Sequence, residues 1–376
     1  MRASVDFAAQ GDAQVLWEAR PLASFEETPV REIAREYDML ILDHPLIGQA
    51  VDDAALFDLA ELLSPADLER RRQDSVGASF SSYEYGGGQW ALPVDAAAQV
   101  SVFRADLLDA ATVPQTWDGA LALVREMRDR STRAALPLGP VHCHCLMLAL
   151  GCDRAGPDIW CADSIDGELL EWILTTMWQL SSNVHPASAH ANPISLSELM
   201  VAGEVSYVPL MFGYSTYARR EVDRPLSFAL PPSRGARPWG SVLGGAGIAV
   251  SSSCPRAAEA AAFASFVTEP DYQRTAWVES GGQPASLTAW RDKTCGLLTS
   301  GFFDATVAAV EAAHVRDRDS SSVLGSRTIG NLLSRWMTEH EAPRIELWAK
   351  TLGRHLWEQR QRASELSERR GETSDG

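Results

Sequence analysis

The chain has 376 residues, 45% of them apolar and 22% charged, and 50 acidic against 33 basic side chains give a formal net charge of −17. That length and composition suit a globular protein of two or three ordinary domains or one two-lobed unit, with enough apolar material for a core in each part. The acidic balance speaks against a broad nucleic-acid surface and against docking on anionic lipid, since both need clustered Lys and Arg.

Strands and helices alternate along the chain. Ala13-Gln14-Val15-Leu16-Trp17 reads as a strand, and 28–36 as a short amphipathic helix with Val30, Ile33 and Ala34 on its apolar side. Tyr37-Asp38-Met39-Leu40-Ile41-Leu42-Asp43 is a short apolar run of the buried-strand kind, and it ends at the turn His44-Pro45. Ser64-Pro65-Ala66-Asp67 is a helix start: an N-cap serine, proline at the first position and an acid in the first turn. Gly86-Gly87-Gly88 reads as a turn, followed by strands over 89–92 and 99–104. Pro114-Gln115-Thr116-Trp117-Asp118 opens a helix over 117–130, with Trp117, Leu121, Val124 and Met127 at helical spacing.

Farther on, 136–139 reads as a short strand before a mostly helical block. The stretch 195–202 is a helix stopped by Gly203, and 205–211, 226–230 and 247–250 read as strands. An alanine-rich helix over 256–267 precedes a second start at Thr268-Glu269-Pro270-Asp271, and the polar tail from Ser364 reads as frayed. No apolar run of about 18 residues occurs, so no membrane span is expected. The first residues, Met1-Arg2-Ala3-Ser4-Val5-Asp6-Phe7, have no apolar core of a secretory signal. Without such a signal the six cysteines (143, 145, 152, 161, 254 and 295) are expected as thiols.

Motifs of known chemistry fail in context. Gly86-Gly87-Gly88 lacks the Gly-Lys-Ser/Thr of a phosphate loop, and Gly245-Ala246-Gly247 precedes a strand rather than a helix. Gly213-Tyr214-Ser215-Thr216-Tyr217 misses the last glycine of a nucleophile elbow. His142-Cys143-His144-Cys145, with Cys152 and Cys161 beyond, has soft ligands but not the spacing of a zinc site, and reads as a cysteine-rich loop at a strand end. No cofactor, metal or catalytic constellation is therefore expected.

The strand ends carry more information, because ligands of open α/β sheets sit beyond the carboxyl ends of strands. Those ends hold Trp17, Glu18 and Arg20; Asp43 and His44; Asp95; His142 and His144; Phe212, Tyr214 and Tyr217; and Trp239 with Gly244. Aromatic faces of this kind stack on sugar rings, and Arg20 forks onto a carboxylate.

Four stretches resemble the extracellular solute-binding proteins of ABC importers, sugar-binding group. They are the strand Tyr37-Asp38-Met39-Leu40-Ile41-Leu42-Asp43; Trp90-Ala91-Leu92-Pro93-Val94-Asp95 with Val100-Ser101-Val102-Phe103-Arg104; Val113-Pro114-Gln115-Thr116-Trp117-Asp118; and Gly244-Gly245-Ala246-Gly247-Ile248-Ala249-Val250-Ser251 with the helices and the Gly281-Gly282-Gln283-Pro284 turn after it. The resemblance spans 37–285 in the right order.

It implies a two-lobed α/β fold of the type II periplasmic-binding kind, with a hinge and a central ligand cleft. Lobe one is then expected over 1–100 and 246–300, lobe two over 101–245 and 301–363, and a disordered tail over 364–376. It also implies a monomer that binds a sugar or small carboxylate without turning it over, with the membrane subunits of an ABC transporter as partners if it is exported. No nucleic acid and no membrane insertion are expected.

Two departures from the family bear on location. Family members begin with an export signal and a first strand, whereas 4–10 here reads as the tail of the first helix, so an N-terminal strand and signal are expected ahead of Met1. The second departure is the His142–Cys145 run. With the signal the protein is periplasmic or extracellular, and as the sequence stands it is cytoplasmic. The competing reading is a cytosolic enzyme or sensor on the same fold, with His44 and Asp43 or Asp95 as the suspected catalytic group.

Overall fold

The computed structural model describes residues 2–9, 11, 14–19, 28–162, 164–235, 240–339 and 342–374. Its strands are β1 (Met39–Leu42), β2 (Glu84–Tyr85), β3 (Gly88–Gln89), β4 (Leu92–Pro93), β5 (Ala97–Phe103), β6 (Arg133–Ala134), β7 (Val205–Phe212), β8 (Ser227–Ala229), β9 (Leu243–Gly244) and β10 (Gly247–Val250). The chain divides into two compact units. Unit one is Met1–Ala97, Tyr214–Arg219 and Leu243–Glu311; unit two is Ala98–Gly213, Arg220–Val242 and Ala312–Gly376.

Unit one is built on the sheet β1-β10-β4, both pairs antiparallel. The sheet is apolar on both faces, so both must be covered. On one face Leu92, Val94, Ile248 and Val250 pack under the helix Ala257–Val267, joined by Phe7 of the N-terminal helix Arg2–Ala8. On the other, Leu40, Leu42, Ala91 and Ala249 pack with Val30, Ala34, Ile47 and Tyr83.

Polar groups tie the layers together. The helix Pro65–Gln73 starts as its sequence predicts, with Ser64 Oγ accepting from the Asp67 amide. Its buried Arg71 donates to Ser265 O at 2.7 Å, Thr268 Oγ1 at 2.9 Å and the Glu269 carboxylate at 2.6 Å. A buried guanidinium is tolerated only when its donors are used in this way.

Unit two carries the sheet β6-β7-β5-β8. All eight residues of β7 are buried, as expected of a central strand. Against it lie the helices Trp117–Met127 and Pro193–Ala202, while Pro140–Ala155, Gly167–Ser181, Ser320–Thr338 and Ile345–Ser374 pack on one another. Trp336 and Trp348 stack at 5.1 Å with ring planes 7° apart, fastening the last two helices together. Gly330 is required where Ser320–Thr338 crosses Pro140–Ala155, because a Cβ there would meet the Pro140 carbonyl.

Several expected elements differ from what forms. Val15-Leu16-Trp17 is extended but pairs with no strand among the described residues. The helix expected over 28–36 is reduced to Val30–Ile33. The strand expected over 136–139 forms instead at Arg133–Ala134, where β7 offers its ladder; the Leu138 amide turns to Ser188 O at 3.1 Å. The run 142–145 is not a loop. Gly139 and Pro140 start a 16-residue helix, and the histidines and cysteines lie in its first two turns. The last helix continues to Ser374, past the point where composition suggests fraying. All six cysteines are unpaired thiols, and no described helix is long and apolar enough to cross a membrane.

Candidate functional site

Unit one gathers polar groups where its chain crosses between sheet and return segments. Asp43 follows β1 and Asp95 follows β4. Burial, with a smaller push from the Asp43 charge, raises the Asp95 carboxyl to about 7. Asp95 Oδ1 is shut off from solvent and has no hydrogen-bond partner among the described residues. A carboxyl in that condition is half protonated near neutrality, and donates or accepts as its surroundings require.

The backbone around Asp95 is fixed by two glutamines. Gln273 Nε2 donates to Val94 O at 3.1 Å, while its Oε1 accepts from the Ala285 and Ser286 amides at 2.8 and 2.9 Å. Gln283 Nε2 donates to Ala96 O at 2.7 Å, and its Oε1 accepts from the Ser215 amide at 2.8 Å. The second glutamine thereby anchors the short helical turn Ser215–Ala218, which sets Tyr214 and Tyr217, both half-buried. Gly245 holds φ +112°, and a Cβ there would collide with the Asp95 carbonyl oxygen, so only glycine lets the return segment lie this close. His44 is fully buried edge-on to Tyr83 at 6.3 Å. Tyr83 donates to Leu42 O at 3.3 Å and Gly245 O at 3.4 Å.

Unit two presents a different set. His142 and His144 stand in the first two turns of Pro140–Ala155. His314 is held where its amide donates to Ser241 O at 2.9 Å and its residue bridges Val242. Burial first, then the Arg316 charge, lowers His142 to about 4 and His144 to about 3, with His314 adding to the effect on His144. Burial likewise lowers His314 to about 4. The imidazoles are thus neutral at physiological pH, each offering one donor and one acceptor. His142 Nδ1 is closed to solvent with no partner among the described residues. Ser233 Oγ donates to Asp153 at 2.7 Å on the same unit.

Among the residues singled out from sequence, Asp43 and Asp95 are brought within electrostatic reach of each other, and His142 and His144 are brought together beside Arg316. Phe212 is buried at the end of β7, and half-buried Gly244 ends β9. Trp17 and Glu18 are not with these groups. They line a groove along β1, with the Trp17 indole 6.0 Å from Phe263 and its Nε1 donating to Ser4 Oγ at 2.9 Å. Arg20 and Trp239 lie outside the described residues. Sequence reasoning missed His314 and Arg316, which sit in an unremarkable polar stretch far from 142, and also the positioning role of Gln273 and Gln283. No described group of three or more His, Cys, Asp and Glu is placed to hold a metal ion.

Two discontinuous α/β units, each built on its own sheet, define the two-lobed fold of the periplasmic-binding type. Solved structures of that fold match nearly the whole chain. A solute-binding protein of an ABC transporter from Agrobacterium radiobacter, in complex with ribitol, aligns with a TM-score of 0.79 and 16% identity over 95% of this chain and 94% of its own. One from Thermotoga lettingae bound to α-D-tagatose gives 0.77 and 14% over 95% and 94%. A maltose-bound protein of T. maritima gives 0.77 and 17% over 94% of each. The sequence profile of the bacterial extracellular solute-binding proteins matches residues 30–294, and the chain belongs to that family. No curated protein matches the chain in sequence.

Proposed function

We propose that the protein captures a small polar ligand of the sugar or polyol class for an ABC importer, acts outside the cytoplasm, and does not chemically change what it binds. The observation that carries this reading is the state of its buried polar groups. His144 is buried and Asp95 and His142 are half-buried, and all three are pushed toward their neutral forms. Neutral groups with both donor and acceptor capacity suit hydroxyl-rich, uncharged ligands, whose own hydroxyls both donate and accept. Tagatose, ribitol and maltose in structural neighbours support the same class. In unit one the proposed binding residues are Asp43, His44, Asp95, Tyr214 and Tyr217; in unit two they are His142, His144 and Phe212.

A small carboxylate is the second reading. It is favoured by the Arg316 charge felt at both His142 and His144.

Thermal-shift measurement against sugars, polyols and small carboxylates separates the two. A true ligand at about 100 times its dissociation constant stabilises the fold by about 2.7 kcal/mol. A shift with polyols or sugars, and recovery of the compound unchanged, supports the first reading. A shift with carboxylates alone, lost in Arg316→Gln, supports the second. Conversion of the compound to a product overturns both.

A further inference from the structure

The segment Tyr214–Arg219 is part of unit one, while the residues on either side of it belong to unit two. No continuous chain of unit one carries it, so non-covalent bonds must hold it in place. Ser215 and Ala218 are buried, and the short turn they enclose packs on the helix Phe302–Glu311. Within the segment the Tyr217 amide donates to Tyr214 O at 3.1 Å. Gln283 holds the near end, accepting from the Ser215 amide. Arg219 holds the far end: its Nη1 donates to Val278 O at 2.7 Å and its Nη2 to Glu279 O at 3.3 Å.

Both anchors stand on one block. Gln273–Trp277 is a single π-helical turn, and its helix ends at Glu279. Such turns are rare and concentrate at functional sites. The Arg274 carbonyl of the turn accepts from the Cys295 thiol at 3.1 Å. Beyond the helix the chain reverses at Gly281, φ +91°, and at Gly282, where a Cβ would strike the Trp277 ring. Trp277 Nε1 donates across this reversal to Gln283 O at 3.1 Å. The block 273–283 therefore carries Gln273 on Val94 O, Gln283 on Ala96 O and on the Ser215 amide, and the Arg219 guanidinium on its helix end. A guanidinium is favoured there by the last carbonyls of the helix and by its dipole. Asp95 is thus set by this mount through the two glutamines, and the far end of the tyrosine segment through Arg219.

We propose that Arg219 is a positioning residue that makes unit one select ring-shaped sugars over open-chain polyols. The proposal rests on the sugar reading above, in which Tyr214 and Tyr217 touch the ligand. Hydroxyl groups are common to both kinds of compound, so hydrogen-bonding groups such as Asp95 do not separate them. A sugar ring offers a flat apolar face on which a tyrosine stacks, and an open chain does not. Anchoring the segment at both ends orders the tyrosines before the ligand arrives, so binding does not have to meet that cost. With Arg219 cut back, the segment is held at Ser215 alone. The stacking contribution then falls, while the hydroxyl contacts remain.

The test pairs calorimetry of glucose against sorbitol, and of ribose against ribitol, with amide exchange at Tyr217, in the wild type, Arg219→Ala and Arg219→Lys. Arg219→Ala is expected to speed Tyr217 exchange about tenfold, while the Ala285 and Ser286 amides held by Gln273 exchange as before. The ratio of ring to open-chain affinity is expected to fall about fivefold, the worth of one aromatic stacking contact. Arg219→Lys keeps a charged donor for the helix-end carbonyls and restores most of both. Unaltered Tyr217 exchange in Arg219→Ala overturns the anchor. Faster exchange with an unchanged affinity ratio, or a lost ratio that lysine does not restore, overturns the selectivity. Wild-type protein that binds none of the four compounds contradicts the sugar reading and the selectivity built on it, and the exchange result then still decides the anchor.

Discussion

Unit one and unit two both bury ionisable groups, with opposite consequences for pH. In unit one the group is a half-buried acid, and loss of water beside Asp43 raises Asp95 to about 7. In unit two they are bases, His144 buried and His142 and His314 half-buried, and loss of water beside Arg316 lowers them to between about 3 and about 4. One physical cause, loss of water around the charged form, produces both shifts. Neutral hydrogen-bonding capacity is therefore available only in a window with an acid limb set by unit two and an alkaline limb set by unit one. A protein that recognised its ligand by full charges would show the reverse pattern, with acids held low and bases held high.

The largest expected effect breaks the comparison on the acid side. A base with a lowered folded-state pKa takes up protons more readily when unfolded, so its stabilisation is complete above about 6.5 and is lost as pH falls toward about 4. Stability should drop by more than about 3 kcal/mol across that span, since each unit of pKa difference is worth about 1.4 kcal/mol and three groups act together. Chemical denaturation at stepped pH checks this, and His144→Gln should flatten the limb.

Next is the backbone that brings the return segment onto Asp95. Gly245→Ala adds a Cβ against the Asp95 carbonyl at positive φ, and should cost about 2–3 kcal/mol and weaken ligand binding with it. Gly281→Ala is the control, also at positive φ but with nothing within 4 Å of its Cβ, and should cost only about 1 kcal/mol.

A smaller effect isolates the alkaline limb. An acid with a raised folded-state pKa favours folding while protonated, so stability declines as pH rises from about 4 to about 7 and the loss is complete above that. Asp95→Asn removes that decline and should stabilise the protein by about 2 kcal/mol at pH 8. It should at the same time keep ligand binding and extend it to higher pH, because the amide offers a neutral donor and acceptor as the protonated carboxyl does, whereas Asp95→Leu should lose most of the binding. Unchanged binding in Asp95→Leu would make Asp95 a structural group only. The smallest effect is at the aromatic edge: Tyr217→Phe should weaken binding about fivefold, the value of one hydroxyl contact of about 1 kcal/mol.

Much of the fold is legible in the sequence because its signals are local. The β1 run, the Ser64-Pro65 start, the Thr116 cap and the Gly203 stop each need only a few residues to specify, and each forms where composition places it. The misreadings share a cause in partners distant along the chain. Val15–Trp17 has strand composition without a strand beside it, and 136–139 has strand composition while β7 pairs a few residues earlier. The His142–Cys145 run reads as a loop at a strand end, yet Gly139-Pro140 starts a helix through it.

The candidate site was less legible. Asp43 and Asp95 can be chosen because they follow strands. His314 and Arg316 cannot, since contacts of His314 with Ser241 and Val242, distant along the chain, fix that stretch.

Titration calorimetry of the purified chain, with a panel of pentoses, hexoses, polyols and disaccharides at pH 7, tests the central claim most directly. Saturable one-to-one binding to members of one hydroxyl-rich class is expected, weakened by Asp95→Leu and by His144→Leu, with the compound recovered intact. Absence of binding across the panel, or affinity for charged compounds only, would contradict it.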